Sequence, residues 1–212
     1  RVAEAVPLVA TVSAFQGWDA MFHFCKNSPT WEPYLRGLNV TPGHFALYPV
    51  AAMIFRRGDI RPGDLVFERR RDRGYQFSTR RDERGAPPEV IAVGRVQNAY
   101  VDEPTPDMLR DDLVGWCWDR AAGVVHAGTG EFDWHYADEW MRLNSARTQG
   151  AFGAVGGVGV ACDDVSIETP NAHCAVIATS LDGVPIRQST RVLVTAVGRS
   201  QNMGLPPGKG AL

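Results

Sequence analysis

Apolar residues along the chain change their spacing near residue 60. From residue 6 to residue 15 they recur at steps of three and four, as on one face of a helix, with Pro7 as the first helical residue and Gly17 ending it. The short aromatic segment 18–25, WDAMFHFC, lies between two breakers and predicts a buried strand. A second helix is predicted to begin at Thr41-Pro42 and to end at Gly58.

From about residue 64 the pattern changes to short β-type runs separated by turn residues. This spacing is typical of a β-sandwich or barrel. Asp182-Gly183 indicates a tight hairpin turn, because type I′ turns need positive φ angles that Gly and Asp tolerate. The predicted strands cover residues 64–68, 90–97, 115–119, 124–127, 132–135, 140–144, 151–155, 165–168, 175–180 and 191–198.

One predicted strand between two helices cannot form a stable α/β unit, because a buried strand needs a pairing partner and cover on both faces. Residues 1–60 therefore either pack on the β-rich part of the same chain or complete a larger α/β domain. The aromatic density of residues 18–25, and the Trp- and Tyr-bearing loop after it, favour the last strand of a (β/α)8 barrel. In such barrels the loops after the strands build the active site.

Composition narrows the class of protein. Of 212 residues, 44% are apolar and 22% charged, as in ordinary globular proteins, and the formal net charge is −2. This charge predicts neither a nucleic-acid nor an anionic-membrane partner. The basic stretch 69–84 is interrupted by acids and indicates a solvated hairpin or loop. The longest apolar runs are much shorter than the roughly 20 residues of a membrane span.

The sequence contains no recognisable metal-binding, phosphate-binding or nucleophile motif. The four cysteines form no CxxC and favour buried free thiols, and the five histidines show no HxH or HExxH spacing, so neither a metal nor a cofactor is predicted. The glycine-rich segment 150–159 lacks the lysine of a phosphate loop and predicts a strand with tight turns.

The segment after the first helix combines flat aromatic rings with polar groups. Sugar sites use aromatic rings against the apolar face of a pyranose and polar side chains for its hydroxyl groups. We therefore expect a carbohydrate-binding lip here, although the same rings could be core residues. The predicted substrate-binding residues are Trp18, His23, Phe24, Trp31 and Glu32.

Glycoside hydrolysis needs two carboxyl groups on either side of the scissile bond. No pair in this sequence is identified as catalytic. Glu4 lies on or just before the first helix, and the alternation Glu131-Phe132-Asp133 favours carboxylates at a solvated or hydrogen-bonded strand edge.

The order of several segments resembles the C-terminal portion of bacterial glycoside hydrolases that have a clan A type TIM barrel followed by a β-sandwich. The resemblance covers most of the chain except roughly residues 65–110. The segments are GWDAMFHF (17–24), HFALYPVAAMIFRRGDI (44–60), GTGEFDW (128–134), SARTQGAFG (145–153) and TSLDGVPIRQSTRVLVTAVGRSQNMG (179–204).

The resemblance implies that residues 18–25 are the eighth barrel strand and that the helix before them is the seventh helix. The family's acid/base and nucleophile glutamates, at the ends of the fourth and seventh strands, would then precede Arg1. Retaining chemistry is also implied. The family's eighth strand commonly ends in an aromatic residue at a sugar subsite, a place that falls here near Phe24 and Cys25, with Trp31 shortly after.

The sequence thus predicts a mixed fold, the last βα unit of a (β/α)8 barrel followed by an antiparallel β-sandwich. Residues 1–60 would be the barrel segment, 61–112 a connecting region with the first strands, and 113–212 the sandwich. The expected function is that of a C-terminal fragment or subunit of a bacterial glycoside hydrolase acting on a β-linked carbohydrate. It would need the N-terminal barrel portion for activity and could be oligomeric.

The alternative is a non-catalytic carbohydrate-binding or assembly module. In that case the sandwich would bind glycans through its tryptophans. Trp116 and Trp118 would share one strand face, and such a face is more often part of the core than a binding platform. The candidates are Trp116, Trp118, Trp134 and Trp140.

Overall fold

A computed structural model describes residues 2–21, 42–76 and 86–198. Two helices of equal length precede the β-rich part of the chain, and three short helices lie within it. None of the helices in these ranges is both long and apolar enough to span a bilayer. The helices are α1 (Val2–Gln16), α2 (Pro42–Arg56), α3 (Arg73–Gln76), α4 (Val90–Val93) and α5 (Asp111–Cys117).

The strands of the described ranges are β1 (Leu65–Arg71), β2 (Arg95–Tyr100), β3 (Met108–Leu109), β4 (Trp118–Asp119), β5 (Val124–His126), β6 (Phe132–His135), β7 (Trp140–Asn144), β8 (Thr148–Gly153), β9 (Val160–Ala161), β10 (Ser166–Ile167), β11 (Cys174–Ser180) and β12 (Val192–Val197). Most of them belong to one antiparallel sheet of seven, in the order β12-β11-β8-β7-β6-β5-β4. A smaller sheet has the order β2-β1-β3, and β9 and β10 form a separate hairpin.

The two faces of the seven-stranded sheet have different covers. We call the face that carries Phe132, Leu143 and Ile177 the inner face; these residues share one hydrophobic cluster with α1 and α2. The opposite, outer face carries Trp140 and Ala151, which pack under the β9–β10 hairpin. The inner face therefore provides the main core, and the outer face a smaller one.

Helix α1 packs against α2 and against the inner face of the large sheet. Its buried residues Ala3, Val6, Ala10 and Ala14 follow the helical period, and Phe15 meets Phe132 edge to face at 4.9 Å. Helix α2 contacts α1 and also β11 and β12, at one edge of the sheet. Residues of the first sixty therefore pack on the β-rich part of the same chain.

The end of α1 joins the smaller sheet to the core. The Gln16 side-chain amide donates to the carbonyl oxygens of Ile91 and Gly94, and its oxygen accepts from the Val96 amide at 2.8 Å. In that sheet β1 pairs in parallel with β2 and antiparallel with β3. The buried Gln16 side chain therefore supplies hydrogen-bond partners to the backbone groups of Ile91, Gly94 and Val96 at the edge of the smaller sheet.

Several predicted elements are confirmed. The first helix, its end at Gly17 and the second helix are present, and the predicted strands 132–135 and 140–144 have the predicted limits. The strands predicted at 64–68, 124–127, 175–180 and 191–198 are also present, with ends that differ by a few residues. The strands predicted at 151–155 and 165–168 correspond to β8 and to the two-residue β10.

Other predictions were wrong in detail. Pro7 lies inside α1, because the apolar face continues back through Val6 and Ala3. The predicted strands 90–97 and 115–119 begin as helices α4 and α5 and become strands only near their ends. Asp182-Gly183 does not form a two-residue turn, since Ser180 pairs with Val192 and the loop between them contains a short 3-10 helix.

The fold class is confirmed at the coarser level: the protein is mixed α/β with a large antiparallel sheet. A second large sheet facing it is not found within residues 2–21, 42–76 and 86–198, where helices cover the inner face. The strand predicted at residues 18–25 is not formed over its described part, 18–21. Its remaining residues lie outside the described ranges.

Candidate functional site

Trp18 is the one predicted substrate-binding residue that the described ranges include. Its side chain is 53% exposed, directly after the end of α1. Gly17 has φ +67°, and the amides of Gly17 and Trp18 donate to the carbonyl oxygens of Ala14 and Ser13. These two bonds form a Schellman motif, which turns the chain out of the helix and leaves the indole at the surface. The other predicted residues, His23, Phe24, Trp31 and Glu32, lie outside the described ranges.

The surroundings of Trp18 belong to the junction between α1 and the smaller sheet. A methyl group added at Gly17 would meet Arg95 Cδ at 3.5 Å and Pro62 at 3.7 Å. The Arg95 guanidinium donates to the Gly63 carbonyl oxygen at 2.8 Å. Trp18 therefore follows directly on this junction, and about half of its side chain is exposed to solvent.

A buried carboxylate on the outer face of the large sheet holds two cationic or polar partners. Asp133 on β6 accepts from Arg142 Nε at 2.6 Å and lies 2.6 Å from His126 Nδ1. The three residues are neighbours across β5, β6 and β7, where His126 faces Asp133 and Asp133 faces Arg142. The His126 ring is 54% exposed, so Asp133 orients a histidine that solvent can reach.

His135 is the next outer-face residue of β6 after Asp133. Its ring stacks on the Trp140 indole with 3.7 Å between ring centroids and planes 9° apart. Burial lowers the pKa of His135, and the nearby Asp133 carboxylate opposes this shift. The stacked Trp140 is itself buried and is not available as a sugar platform.

The rest of the outer face binds the segment that carries the β9–β10 hairpin. Asn144 and Asp163 exchange two hydrogen bonds, as do Gln149 and Asp164. Arg142 also donates to the Ala161 carbonyl oxygen at 3.0 Å. The bonds with Asp164 satisfy the buried Gln149 side chain, and both reciprocal pairs hold this segment against the outer face.

The carboxylates considered as catalytic candidates are held by cations. Glu131 accepts from the Arg61 amide and from Arg61 Nε, both at 2.7 Å, and this contact raises the pKa of Arg61. Asp133 is bound as described above. The predicted hydrogen bonding of these two carboxylates is therefore confirmed, but the predicted strand edge is wrong for Asp133, which is buried on the interior strand β6. Glu4 lies in the first turn of α1, as expected.

The four tryptophans of the alternative hypothesis do not form a row on one strand. Trp116 lies in α5 and is 87% exposed, whereas Trp118 lies in β4 and is half-buried. The predicted sharing of a strand face by these two residues is wrong, because a helix ends between them. Trp134 is also half-buried, with its ring 5.7 Å from that of Tyr136.

Metal and thiol chemistry find no support in the described ranges. They contain no group of three or more His, Cys, Asp or Glu side chains placed to hold a metal ion. The described cysteines, Cys117, Cys162 and Cys174, are free, and burial raises the pKa of each thiol. The expectation of buried free thiols is confirmed for Cys117 and Cys174, whereas Cys162 is free but half-buried and Cys25 lies outside the described ranges.

Sequence reasoning missed the triad of His126, Asp133 and Arg142. The signal was present in the alternation of β6, in which Phe132 and Trp134 face one side and Asp133 and His135 the other. What the alternation could not supply was the strand register, which places His126 and Arg142 on either side of Asp133.

A search of known proteins finds no family model, no curated protein and no solved structure that matches this chain.

Proposed function

We propose that this chain is the C-terminal fragment or subunit of a glycoside hydrolase acting on a β-linked carbohydrate. In this proposal α1, α2 and the segment between them are the last part of a (β/α)8 barrel, and the antiparallel sheet is its accessory domain. The catalytic glutamates belong to the upstream part of the enzyme. The similarity of segment order described above motivates the proposal.

The outward face of α2 is the observation that supports it. From Pro42 to Phe55 this helix has no Asp, Glu, Lys or Arg, although one face of it is open to solvent. The buried face carries Leu47, Val50 and Ile54. The open face carries Phe45, Ala46, Pro49 and Ala52.

A helix that is apolar on all sides is normally buried on all sides. The large sheet and α1 cover one side of α2, and Phe45 on the other side is 58% exposed. In a complete barrel the outer helices pack against one another and against the strands. A neighbouring barrel helix would cover the open stripe and would explain why it lacks charged residues.

The test compares this chain with a longer polypeptide that includes the residues encoded upstream. We expect the longer polypeptide, but not the chain alone, to hydrolyse aryl β-glycosides. Adding the separately produced upstream part to the chain should restore the activity. Hydrolysis by the 212-residue chain as a folded monomer would contradict the proposal, as would an inactive longer polypeptide that is folded.

A second candidate function is a non-catalytic carbohydrate-binding module. The exposure of Trp116 favours it, and it is compatible with the first proposal when module and barrel belong to one enzyme. Glycan binding by the chain without any hydrolysis by the longer polypeptide would leave this second function as the better account.

A further inference from the structure

Strand β12 forms a long and regular edge of the large sheet. It pairs with β11 over six consecutive residues without a register shift, and no other strand of the described ranges pairs with it. At the opposite end of the sheet β4 is only two residues long, and in the smaller sheet the edge strand β2 exposes Gln97 and Asn98. Proteins usually shorten a strand edge, or place charges, proline or a bulge on it, to prevent pairing with another chain. Strand β12 has none of these protections.

Every second residue of β12 directs its backbone groups away from β11. The Leu181 amide donates to the Arg191 carbonyl oxygen at 2.8 Å, so the backbone of Arg191 faces β11. This direction alternates along an antiparallel strand. The residues of β12 whose N–H and C=O groups face the edge are therefore Val192, Val194 and Ala196. Within the part of the chain that the structure describes, these groups have no hydrogen-bond partner.

The same residues have exposed apolar side chains on the outer face of the sheet. Val192 is 41% and Val194 64% exposed, and Ala196 lies opposite Val176, which packs on the outer-face core. On the inner face helix α2 reaches the strand, since a methyl group added at Gly43 would lie 2.7 Å from Val197 Cγ1. Unpaired backbone groups in a row, beside apolar side chains, are complementary to an extended apolar strand.

Strand β12 itself is such a strand, with a free edge of the same length. We infer that β12 pairs antiparallel with β12 of a second copy of this chain, around a two-fold axis through Val194. In this register Val194 lies opposite its own counterpart, and Val192 lies opposite Ala196 of the second copy. One two-fold contact then satisfies the outward backbone groups of both chains and joins the two large sheets.

Analytical ultracentrifugation of the full 212-residue chain, from about 5 µM to about 500 µM, tests the association. We expect a monomer–dimer equilibrium. Val194→Lys brings two like charges together at the axis and should raise the dissociation constant at least about tenfold. Val194→Pro removes an outward N–H without removing a bond to β11, and it should act in the same direction. Val158→Lys is the matched control, because Val158 is 43% exposed in the loop before β9.

Hydrogen exchange of single amides, followed by NMR at both ends of this concentration range, locates the contact. In the concentrated sample the amides of Val192, Val194 and Ala196 should exchange at least about tenfold more slowly than in the dilute sample. The amides of Leu193 and Thr195, which face β11, should change little. This alternation distinguishes pairing at the strand edge from association through side chains alone.

A chain that stays monomeric over the whole range would overturn the inference. A dimer that Val194→Lys does not weaken, or one without the alternating protection, would also overturn it. Loss of the dimer in Phe45→Ala, with no effect of Val194→Lys, would assign the contact to α2 instead. Far-UV circular dichroism and the unfolding midpoint show whether each variant is folded, and the exchange experiment needs only the wild type. Hydrolysis by the longer polypeptide is a separate readout, so this contact and the proposed function can fail independently.

Discussion

Single residues in this protein are constrained most where the backbone leaves no room. Gly153, the last residue of β8, has φ +108°, and a methyl group there would lie 2.4 Å from the Glu139 carbonyl oxygen. Gly58, after α2, also has a positive φ of +69°, but a methyl group there would meet nothing within 4 Å. An alanine at Gly58 would therefore suffer only the strain of a positive φ, whereas an alanine at Gly153 would also overlap with neighbouring atoms.

We expect Gly58→Ala to lower the free energy of unfolding by about 1 kcal/mol, the cost of a left-handed conformation for alanine. Gly153→Ala should cost more, above about 2 kcal/mol, because the strand edge at Trp140 must also move. Urea unfolding with unchanged m-values measures both. An equal loss of unfolding free energy in the two variants would contradict the steric overlap expected at Gly153.

Asp59 is the most deeply buried carboxylate of the contact between α2 and the sheet. Its side chain is fully buried, accepts hydrogen bonds from Arg57 and from the Thr148 hydroxyl at 2.7 Å, and forms an ion pair with Arg147 Nε at 3.1 Å. The hydrogen bond to Asp59 raises the pKa of Arg57, and burial acts in the opposite direction. The exposed pair of Arg110 and Asp112 offers a comparison, in which the contact lowers the pKa of Asp112 to about 2.

Asp59→Asn should lower the free energy of unfolding by about 3 kcal/mol, because two guanidinium groups lose the charge that compensates them. Asp112→Asn should cost less than about 1 kcal/mol, since water screens that pair. Thermal and urea unfolding of the two variants test this difference. A similar effect of both would show that Asp59 contributes no more than a surface charge.

At the scale of elements, α2 has two apolar faces with different surroundings. Leu47 is fully buried against the core, whereas Phe45, two residues earlier, is 58% exposed. In this chain, then, the Leu47 side chain is packed on all sides, whereas Phe45 is only partly covered and contacts the Tyr48 ring, with 6.1 Å between the ring centroids. The proposed barrel neighbour would change that for Phe45.

For the 212-residue chain we expect Leu47→Ala to cost about 3 kcal/mol and Phe45→Ala less than about 0.5 kcal/mol. In the longer polypeptide, Phe45→Ala should become destabilising by about 3 kcal/mol, because the ring would then be buried. Denaturant unfolding of both variants in both contexts measures these values. If Phe45→Ala lowers the free energy of unfolding of the longer polypeptide by the same small amount, no neighbouring helix covers the open face of α2.

For the whole molecule, stability should fall as the solution becomes acidic through neutral pH. The pKa of His135 is lowered in the folded state by burial, so the unfolded chain binds a proton more readily. The stabilisation is complete above the ordinary histidine pKa of about 6.5 and is lost as pH falls through it. Asp182, whose pKa is lowered by hydrogen bonds from Ser189 and Ser180, adds a second loss below its ordinary carboxyl pKa of about 3.9.

His135→Phe keeps an aromatic ring against Trp140 and removes the titrating group. Between pH 7.5 and 5.5 the wild-type unfolding midpoint should fall more than that of the variant, and below pH 4 both should fall together. Differential scanning fluorimetry across this range measures the curves. Parallel curves from pH 7.5 to 5.5 would contradict a buried, neutral His135.

The two long helices and most strands of the large sheet followed from the sequence, and the physical reason is periodicity. The spacing of Val9, Val12 and Phe15 predicted a helix, although its buried face is centred on Val6 and Ala10, and the short run 132–135 predicted a strand. Glycines with positive φ, Gly17 and Gly58, marked where the helices end. These signals act over a few residues, so they can be seen without a structure.

Tertiary structure alone decided which residues meet. The sequence did not determine that α1 would lie on the inner face, that strand register would set Asp133 between His126 and Arg142, or that Arg57, Arg147 and Thr148 would share Asp59. Contacts of this kind join residues far apart in the chain, and their geometry depends on how strands pair and layers pack. For the same reason the sequence could name Trp116 as a candidate, but only the fold showed that its ring faces solvent.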